Sequence, residues 1–145
     1  MKVLVASSGT SGEGPDPVIA AASFPWPAGS EIHVLSVAEM AQPVTVGTGP
    51  DVFDPEIVQL RTKAEAWRIA ASAAAQLRAC GILAEGVAAE GAAETAITGY
   101  ASEWGADIIV VGASDRSLLE KLVLGSVSDG IVKHAPCSVL VVRQG

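Results

Sequence analysis

Aromatic side chains are scarce in this sequence of 145 residues, where Phe, Trp and Tyr together make up 4%. Half of the residues are nevertheless apolar, so alanine, valine, isoleucine and leucine must fill the core. Because these side chains are small, they favour helices that lie closely on a sheet. The length is near that of one ordinary domain, and we expect a single domain over residues 1–145.

Cysteine and histidine are also scarce, with two of each. Cys80 and Cys137 lie far apart and form no CxxC pattern, and two histidines do not complete a zinc site. We expect both thiols to be reduced and buried. His33 lies within a predicted strand and His134 at the end of a predicted helix, which favours structural roles for both histidines.

Positive charge is in short supply as well, since nine Lys and Arg residues accompany sixteen Asp and Glu, for a formal net charge of −7. Binding to nucleic-acid phosphates needs clustered Lys and Arg, so this composition argues against a nucleic-acid partner. It gives no support to an anionic membrane partner either. No apolar run approaches the length of a membrane span and no secretory pattern is visible, so we expect a cytoplasmic protein.

The sequence does contain a regular alternation of strand and helix patterns. Continuous apolar runs predict five strands, at residues 3–6, 31–37, 82–89, 107–111 and 138–142. Helical patterns lie between them, at residues 17–23, 56–80, 93–104 and 126–134. Alternation of this kind with apolar strands predicts an α/β fold, in which helices cover both faces of a parallel, doubly wound sheet.

The longest predicted helix, from residue 56, has an apolar stripe that includes Ala64, Trp67 and Ala74. We expect this stripe to face the core. Gly81 follows as the glycine that ends the helix. Residues 41–55 contain three Pro and two Gly without a clear period, which predicts a loop.

The last third of the sequence carries the strongest functional signal. The strand at residues 107–111 ends at Gly112, a polar loop follows, and Gly125 and Ser126 lead into a helix. Ser126 is a good N-cap, and Asp129 three residues later makes a capping-box-like pair. The first turn of such a helix has free N–H groups and a positive dipole end. The unit therefore predicts an anion or nucleotide site, with an ordinary cap and packing glycine as the alternative.

These residues resemble a known family. Gly112, a second motif position at Asp115, a nine-residue spacer, Gly125 with Ser126, and the ending at 134–143 strongly resemble the universal stress protein family. This family is part of a wider group of adenine-nucleotide-binding α/β folds. The resemblance implies a five-stranded parallel sheet of order 3-2-1-4-5. It also implies a ligand crevice where that order reverses, between the first and fourth strands.

The resemblance further implies a non-catalytic stress-response regulator that binds ATP or another adenine nucleotide, with or without Mg²⁺. Residues for this site are carried over from the family pattern: Ala6, Ser8, Val37, Val111, Gly112, Asp115, Gly125, Ser126 and Val127. A homodimer through the last strand is also implied, because that strand is a sheet edge without charges. We expect its interface to include Val139 and Val141.

Two of these positions depart from the family pattern. Asp115 replaces the second motif glycine, and a carboxylate at about 4 Å from a phosphate costs about 1 kcal/mol per charge pair in water. Ser8 stands where nucleotide-binding members usually carry an Asp that contacts the base or ribose. We therefore expect any bound nucleotide to be weakly held or not to be a triphosphate.

Two other functions remain compatible with the sequence. The same scaffold without a ligand would be a dimeric interaction module. A weak ATP-hydrolysing or adenylate-processing enzyme is the alternative from another class, but no catalytic residue can be named, because the serines near residue 115 lack a partner His or Asp at a recognised spacing.

Overall fold

The structure is a computed structural model that describes residues 1–7, 16–38, 55–113 and 126–143, with the backbone alone described at residues 55–62 and 126. Strands and helices alternate along the chain as predicted. They are β1 (Lys2–Ala6), α1 (Pro17–Ser23), β2 (Glu31–Ala38), α2 (Pro55–Ala79), β3 (Leu83–Glu90), α3 (Ala93–Trp104), β4 (Ile108–Gly112), α4 (Ser126–His134) and β5 (Ser138–Val142). The loop predicted at residues 41–55 falls almost wholly outside the described residues.

The five strands form one parallel sheet in the order β3-β2-β1-β4-β5, which confirms the expected order. Val3 on β1 pairs with Ile32 on β2 and with Ile108 on β4. The chain thus moves outward from β1 in one direction through β2 and β3, and returns on the other side of β1 through β4 and β5. The order of strands reverses between β1 and β4.

Helices cover both faces of the sheet. Alternate side chains of each strand point to opposite faces, so Val3 and Val5 lie on one face and Leu4 on the other. The first face packs against α1 and α2, with a core of Val3, Val5, Val18, Ala21, Ile32, Val34, Ala73, Ala74, Leu77, Ala84 and Val110. The second packs against α3 and α4, with a core of Leu4, Leu35, Ile97, Ala101, Ile109, Val111 and Ile131. The predicted doubly wound α/β fold is confirmed.

The ends of α1 and α2 follow their sequence signals. Asp16 caps α1, because its Oδ1 accepts a hydrogen bond of 2.8 Å from the Val18 N–H, and Pro17 is the first helical residue. At the end of α2, Gly81 has a φ of +80°. Its N–H donates to the carbonyl of Arg78 at 3.0 Å, and the Ile82 N–H donates to that of Leu77 at 3.1 Å.

The face of α2 that packs on the sheet matches the prediction at Ala74, which is fully buried, but differs at Ala64 and Trp67, which are exposed. Ala70 and Leu77 are fully buried instead, whereas Trp67 is 56% exposed. The cause lies in β3, where a Cβ on Gly86 would lie 2.7 Å from the carbonyl carbon of Ala70. The backbones of α2 and β3 therefore approach too closely for an indole ring to lie between them. Small residues of α2 occupy this contact, and Trp67 lies outside it.

The two cysteines differ in their environments. Cys80 is exposed because it directly follows the last turn of α2, so the expectation that it is buried was wrong. Cys137 is half-buried next to the α3/α4 core, and burial raises the pKa of its thiol. Both cysteines are free thiols.

Candidate functional site

The candidate ligand crevice lies above the carboxyl ends of β1 and β4, where the strand order reverses. Just beyond β1, the N–H of Ser7 donates to the carbonyl of Leu35 on β2 at 2.9 Å. Just beyond β4, the N–H of Ala113 donates to the carbonyl of Val142 on β5 at 2.8 Å. Beyond their last strand residues, the segments after β1 and β4 therefore bond to different neighbours, Ser7 to β2 and Ala113 to β5, and diverge from each other. This divergence opens the space where doubly wound sheets bind ligands.

One side chain fixes the amino end of α4 at this crevice. Ser128, in the first turn of α4, is 7% exposed, and its hydroxyl donates to the carbonyl of Gly112 at 2.8 Å. Gly112 is the last residue of β4. The free N–H groups and the positive dipole end of α4 therefore lie next to the end of β4, which is the arrangement that an anionic ligand group needs.

The predicted capping box at the start of α4 stays a prediction. The structure describes α4 from Ser126 onward, with only the backbone of Ser126, and the residues before it lie outside the described ranges. The carboxylate of Asp129 is 2.9 Å from the Lys133 ammonium one turn later. This contact with Asp129 raises the pKa of Lys133.

The described site residues lie in two groups. Ala6, Val37 and Val111 belong to the face of the sheet that packs against α3 and α4, and Val111 is 3% exposed. Gly112 and Val127 lie at the end of β4 and in the first turn of α4, where Val127 is exposed. The predicted residues Ser8, Asp115 and Gly125 lie outside the described residues, and only the backbone of Ser126 is described.

A separate cleft of about 500 Å³ lies between α2 and β3, and Trp67 and Gly86 are among the residues that line it. β3 is two strands away from β1, at the far edge of the sheet from β5. Lys63 lines the same cleft, and its ammonium is 3.2 Å from the Glu90 carboxylate. The described residues that line the cleft lie within α2 and β3, and none of them is at the amino end of a helix, which is the feature that suits the crevice to an anion.

The role of Ser128 was not predicted from the sequence, although a serine two residues after a helix start can reach a neighbouring carbonyl. His33 was expected to be a satisfied residue on the sheet, which its 2.7 Å contact with the Tyr100 hydroxyl confirms. Its stacking on Trp104 has no local sequence signal, because the two residues are far apart in the chain.

Metal and membrane features are not found in the described ranges. No group of three His, Cys, Asp or Glu side chains there could hold a metal ion. Among the described helices, none is both long and apolar enough to cross a bilayer.

Comparison with known sequences identifies the family. The sequence profile of the Universal stress protein family matches residues 1–143, so the chain belongs to this family. A protein of Staphylococcus haemolyticus named as a universal stress protein is 56% identical over 43 residues. That match covers 30% of this chain and 26% of the relative, so it spans about a quarter of the relative's length.

Solved structures confirm the fold. A universal stress protein from Archaeoglobus fulgidus superposes with a TM-score of 0.70 at 22% identity, covering 99% of this chain and 98% of that one. A family protein from Arabidopsis thaliana with AMP bound superposes with a TM-score of 0.65 at 20% identity, covering 100% of this chain and 92% of that one. Two further solved structures, a universal stress protein in complex with cAMP and the universal stress protein from Archaeoglobus fulgidus in complex with dAMP, are similar at 21% and 20% identity.

Proposed function

We propose that this universal stress protein binds an adenine nucleotide in the crevice between β1 and β4, and that it acts as a non-catalytic regulator of a stress response. The observation that carries the proposal is the hydrogen bond from Ser128 to the Gly112 carbonyl, at the point where the strand order reverses. This bond holds the amino end of α4 over the crevice. The AMP, dAMP and cAMP bound to similarly folded family members support the same ligand class.

The proposal divides the crevice into two parts. On the β1/β2 side, Ala6, Ser8 and Val37 would contact the base and ribose. On the β4 side, Val111 would support the floor, and backbone N–H groups from Gly112, Asp115, Gly125, Ser126 and Val127 would contact the phosphates.

Calorimetric titration with ATP, ADP and AMP, each with and without Mg²⁺, tests the ligand. We expect AMP to bind more tightly than ATP when Mg²⁺ is absent, because the Asp115 carboxylate would repel the additional phosphates. Replacing the carboxylate in Asp115→Asn should improve ATP binding more than AMP binding. Tight ATP binding without metal in the unmodified protein would contradict the repulsion argument.

The role of α4 is tested by removing the hydroxyl that fixes it. Ser128→Ala should weaken nucleotide binding by about fivefold, the equivalent of one ordinary hydrogen bond of about 1 kcal/mol. Ser23→Ala is the matched control, since the Ser23 hydroxyl also donates to a carbonyl, that of Ile19 at 2.9 Å, but in α1. Equal affinities in the two variants would show that the crevice does not depend on the Ser128 contact.

We also propose a homodimer formed through β5. In the described part of the sheet this strand pairs with β4 alone, so its outer N–H and C=O groups face away from the sheet. Val139 and Val141 are half-buried, and the strand contains no charged residue to oppose pairing with a second copy.

Sedimentation tests the dimer. Val141→Glu should give a monomer, because it places a carboxylate in the paired strand. Leu83→Glu is the control at the opposite edge, since Leu83 begins β3 and is 64% exposed. The circular dichroism spectrum of Val141→Glu must show the helical signal of the unmodified protein, which establishes that the variant is folded. A folded Val141→Glu variant that remains dimeric would exclude β5 as the interface.

We place this function in a cytoplasmic protein whose residues 1–145 form one domain. Mass spectrometry of the purified protein separates nucleotide binding from a ligand-free interaction module, because a nucleotide-binding protein should carry or accept adenine nucleotide. Incubation with ATP and chromatography of the products separates both from a weak ATP-hydrolysing or adenylate-processing enzyme. We expect no product.

A further inference from the structure

A histidine lies between the sheet and the aromatic residues of α3. His33 on β2 is 8% exposed. Its imidazole stacks on the indole of Trp104, with ring centroids 3.8 Å apart and planes 13° apart. Its Nδ1 lies 2.7 Å from the hydroxyl of Tyr100, one turn earlier on α3. One titratable ring therefore contacts two aromatic residues of the helix that packs on it.

Charged groups from three strands surround this ring. Glu85 is the register partner of His33 on β3, and its Oε2 lies 3.6 Å from the imidazole Nε2. Glu31 precedes His33 by two residues on β2 and shares its face. On β1, the Lys2 ammonium lies 5.6 Å from the Trp104 ring centroid and donates to the Trp104 carbonyl at 3.1 Å.

The balance of these effects favours the neutral imidazole. Burial lowers the pKa of His33 below its usual 6.5, and nearby Lys2 acts in the same direction, although Glu31 and Glu85 oppose it. Burial also raises the pKa of Tyr100, with Glu85 and Glu31 acting in the same direction, so Tyr100 stays a neutral phenol wherever His33 titrates.

The two protonation states of His33 require different partners. In the neutral ring, we assign the Tyr100 O–H as the donor to Nδ1, which leaves the imidazole proton on Nε2, facing Glu85. The 3.6 Å separation from Glu85 is too long for a hydrogen bond. When the ring is protonated, Nδ1 becomes a donor as well. The Tyr100 O–H must then turn to another acceptor, and the Glu85 carboxylate gains a cationic partner.

We propose that His33 is a proton sensor that couples pH to the packing of α3 on the sheet. Below pH 6.5 the unfolded chain takes up this proton more readily than the folded chain. The stability contributed by neutral His33 is therefore fully present above 6.5 and falls as the pH decreases below that value. It stops falling once the folded His33 is itself protonated. Trp104 is the last residue of α3, and Gly105 and the next two residues lead directly into β4.

The two histidines of the chain allow a matched test by NMR. The imidazole resonances of His33 and His134 are followed from about pH 8 to about pH 5, together with the indole N–H of Trp104. His134 is the control, because its Nδ1 contacts Glu94 at 2.8 Å on the exposed side of α4. We expect the Trp104 resonance to shift with the midpoint of His33, to do the same in His134→Gln, and to stay constant in His33→Gln. A Trp104 shift that persists in His33→Gln would overturn the proposal.

A second variant keeps the test decisive if His33→Gln does not fold. Glu85→Gln removes an exposed carboxylate that raises the pKa of His33. The His33 midpoint should therefore move further below 6.5 in this variant, and the Trp104 shift should move with it. A Trp104 midpoint that stays in place while that of His33 moves would also overturn the proposal. Neither result depends on nucleotide binding.

Discussion

The two faces of the sheet are built from different kinds of contact. The α1/α2 face has an aliphatic core in which α2 rests almost directly on the backbone of β3 at Gly86. The α3/α4 face also has aliphatic residues at its centre, but two of the three buried polar residues in the described ranges, His33 and Ser128, lie there. The first layer depends on close packing, whereas the second adds specific hydrogen bonds at a titratable ring and at the crevice.

Under the two proposals above, this difference separates stability from function within one small fold. Burial of apolar area stabilises both layers, and in the described ranges the proposed contacts with a ligand and a proton, at Ser128 and His33, both lie in the α3/α4 layer. We therefore expect substitutions in the α1/α2 layer to change the free energy of unfolding with little effect on nucleotide affinity. Three pairs of variants test the packing contacts on which this comparison rests.

The largest effect should come from Leu77→Ala in the α1/α2 core. Leu77 is fully buried, so its truncation should reduce the free energy of unfolding by about 3 kcal/mol in urea denaturation. Trp67→Ala removes a larger side chain from the same helix. Because Trp67 is mostly exposed, we expect its truncation to reduce the free energy of unfolding by less than about 1 kcal/mol. Similar losses in both variants would mean that Trp67 is buried as well as Leu77.

The next largest effect should separate two glycines on opposite faces. Gly86→Ala places a Cβ 2.7 Å from the Ala70 carbonyl oxygen, so the backbone of α2 or of β3 must move. We expect this variant to lose about 2 kcal/mol of the free energy of unfolding. Gly99→Ala in α3 meets no atom within 4 Å and should stabilise the helix by about 0.5–1 kcal/mol. Thermal unfolding of both variants provides the measurement. Stabilisation by Gly86→Ala would show that α2 does not approach β3 as closely as described.

The smallest effect concerns the first turns of α1 and α3. Asp16→Ala removes a cap that accepts a hydrogen bond and should cost about 1 kcal/mol. Ala92 occupies the equivalent position before α3, with extended backbone and no side-chain cap. Ala92→Ser should therefore stabilise the protein by about 0.5 kcal/mol in chemical denaturation. If Ala92→Ser has no effect while Asp16→Ala destabilises, the start of α3 is held by its tertiary contacts instead.

Much of the fold could be predicted because its signals are local. Apolar runs, the Asp16 cap and the glycine after α2 determine where strands and helices begin and end, and the family resemblance supplied the strand order. The buried side of α2 could not be predicted in this way. Alanines lie on several sides of that helix, so hydrophobicity alone does not identify the face that the close approach at Gly86 selects.

The site was predictable to a smaller extent. Gly112 and the start of α4 were found from the motif, and the structure brings them together. The hydrogen bond from Ser128 to Gly112 and the stacking of His33 on Trp104 depend on which elements become neighbours in the fold. A local sequence pattern does not contain this information. The roles of Ser8, Asp115 and Gly125 stay predictions, because these residues lie outside the described part of the chain.

The close approach at Gly86 also has a mechanical consequence. With no side chain between them, the backbones of Ala70 and Gly86 approach so closely that the contact leaves no room for a Cβ. At His33 and Ser128, α3 and α4 contact the sheet differently, through side-chain hydrogen bonds that can exchange partners. Small changes in packing should therefore be tolerated better in the α3/α4 layer than at the contact between α2 and β3.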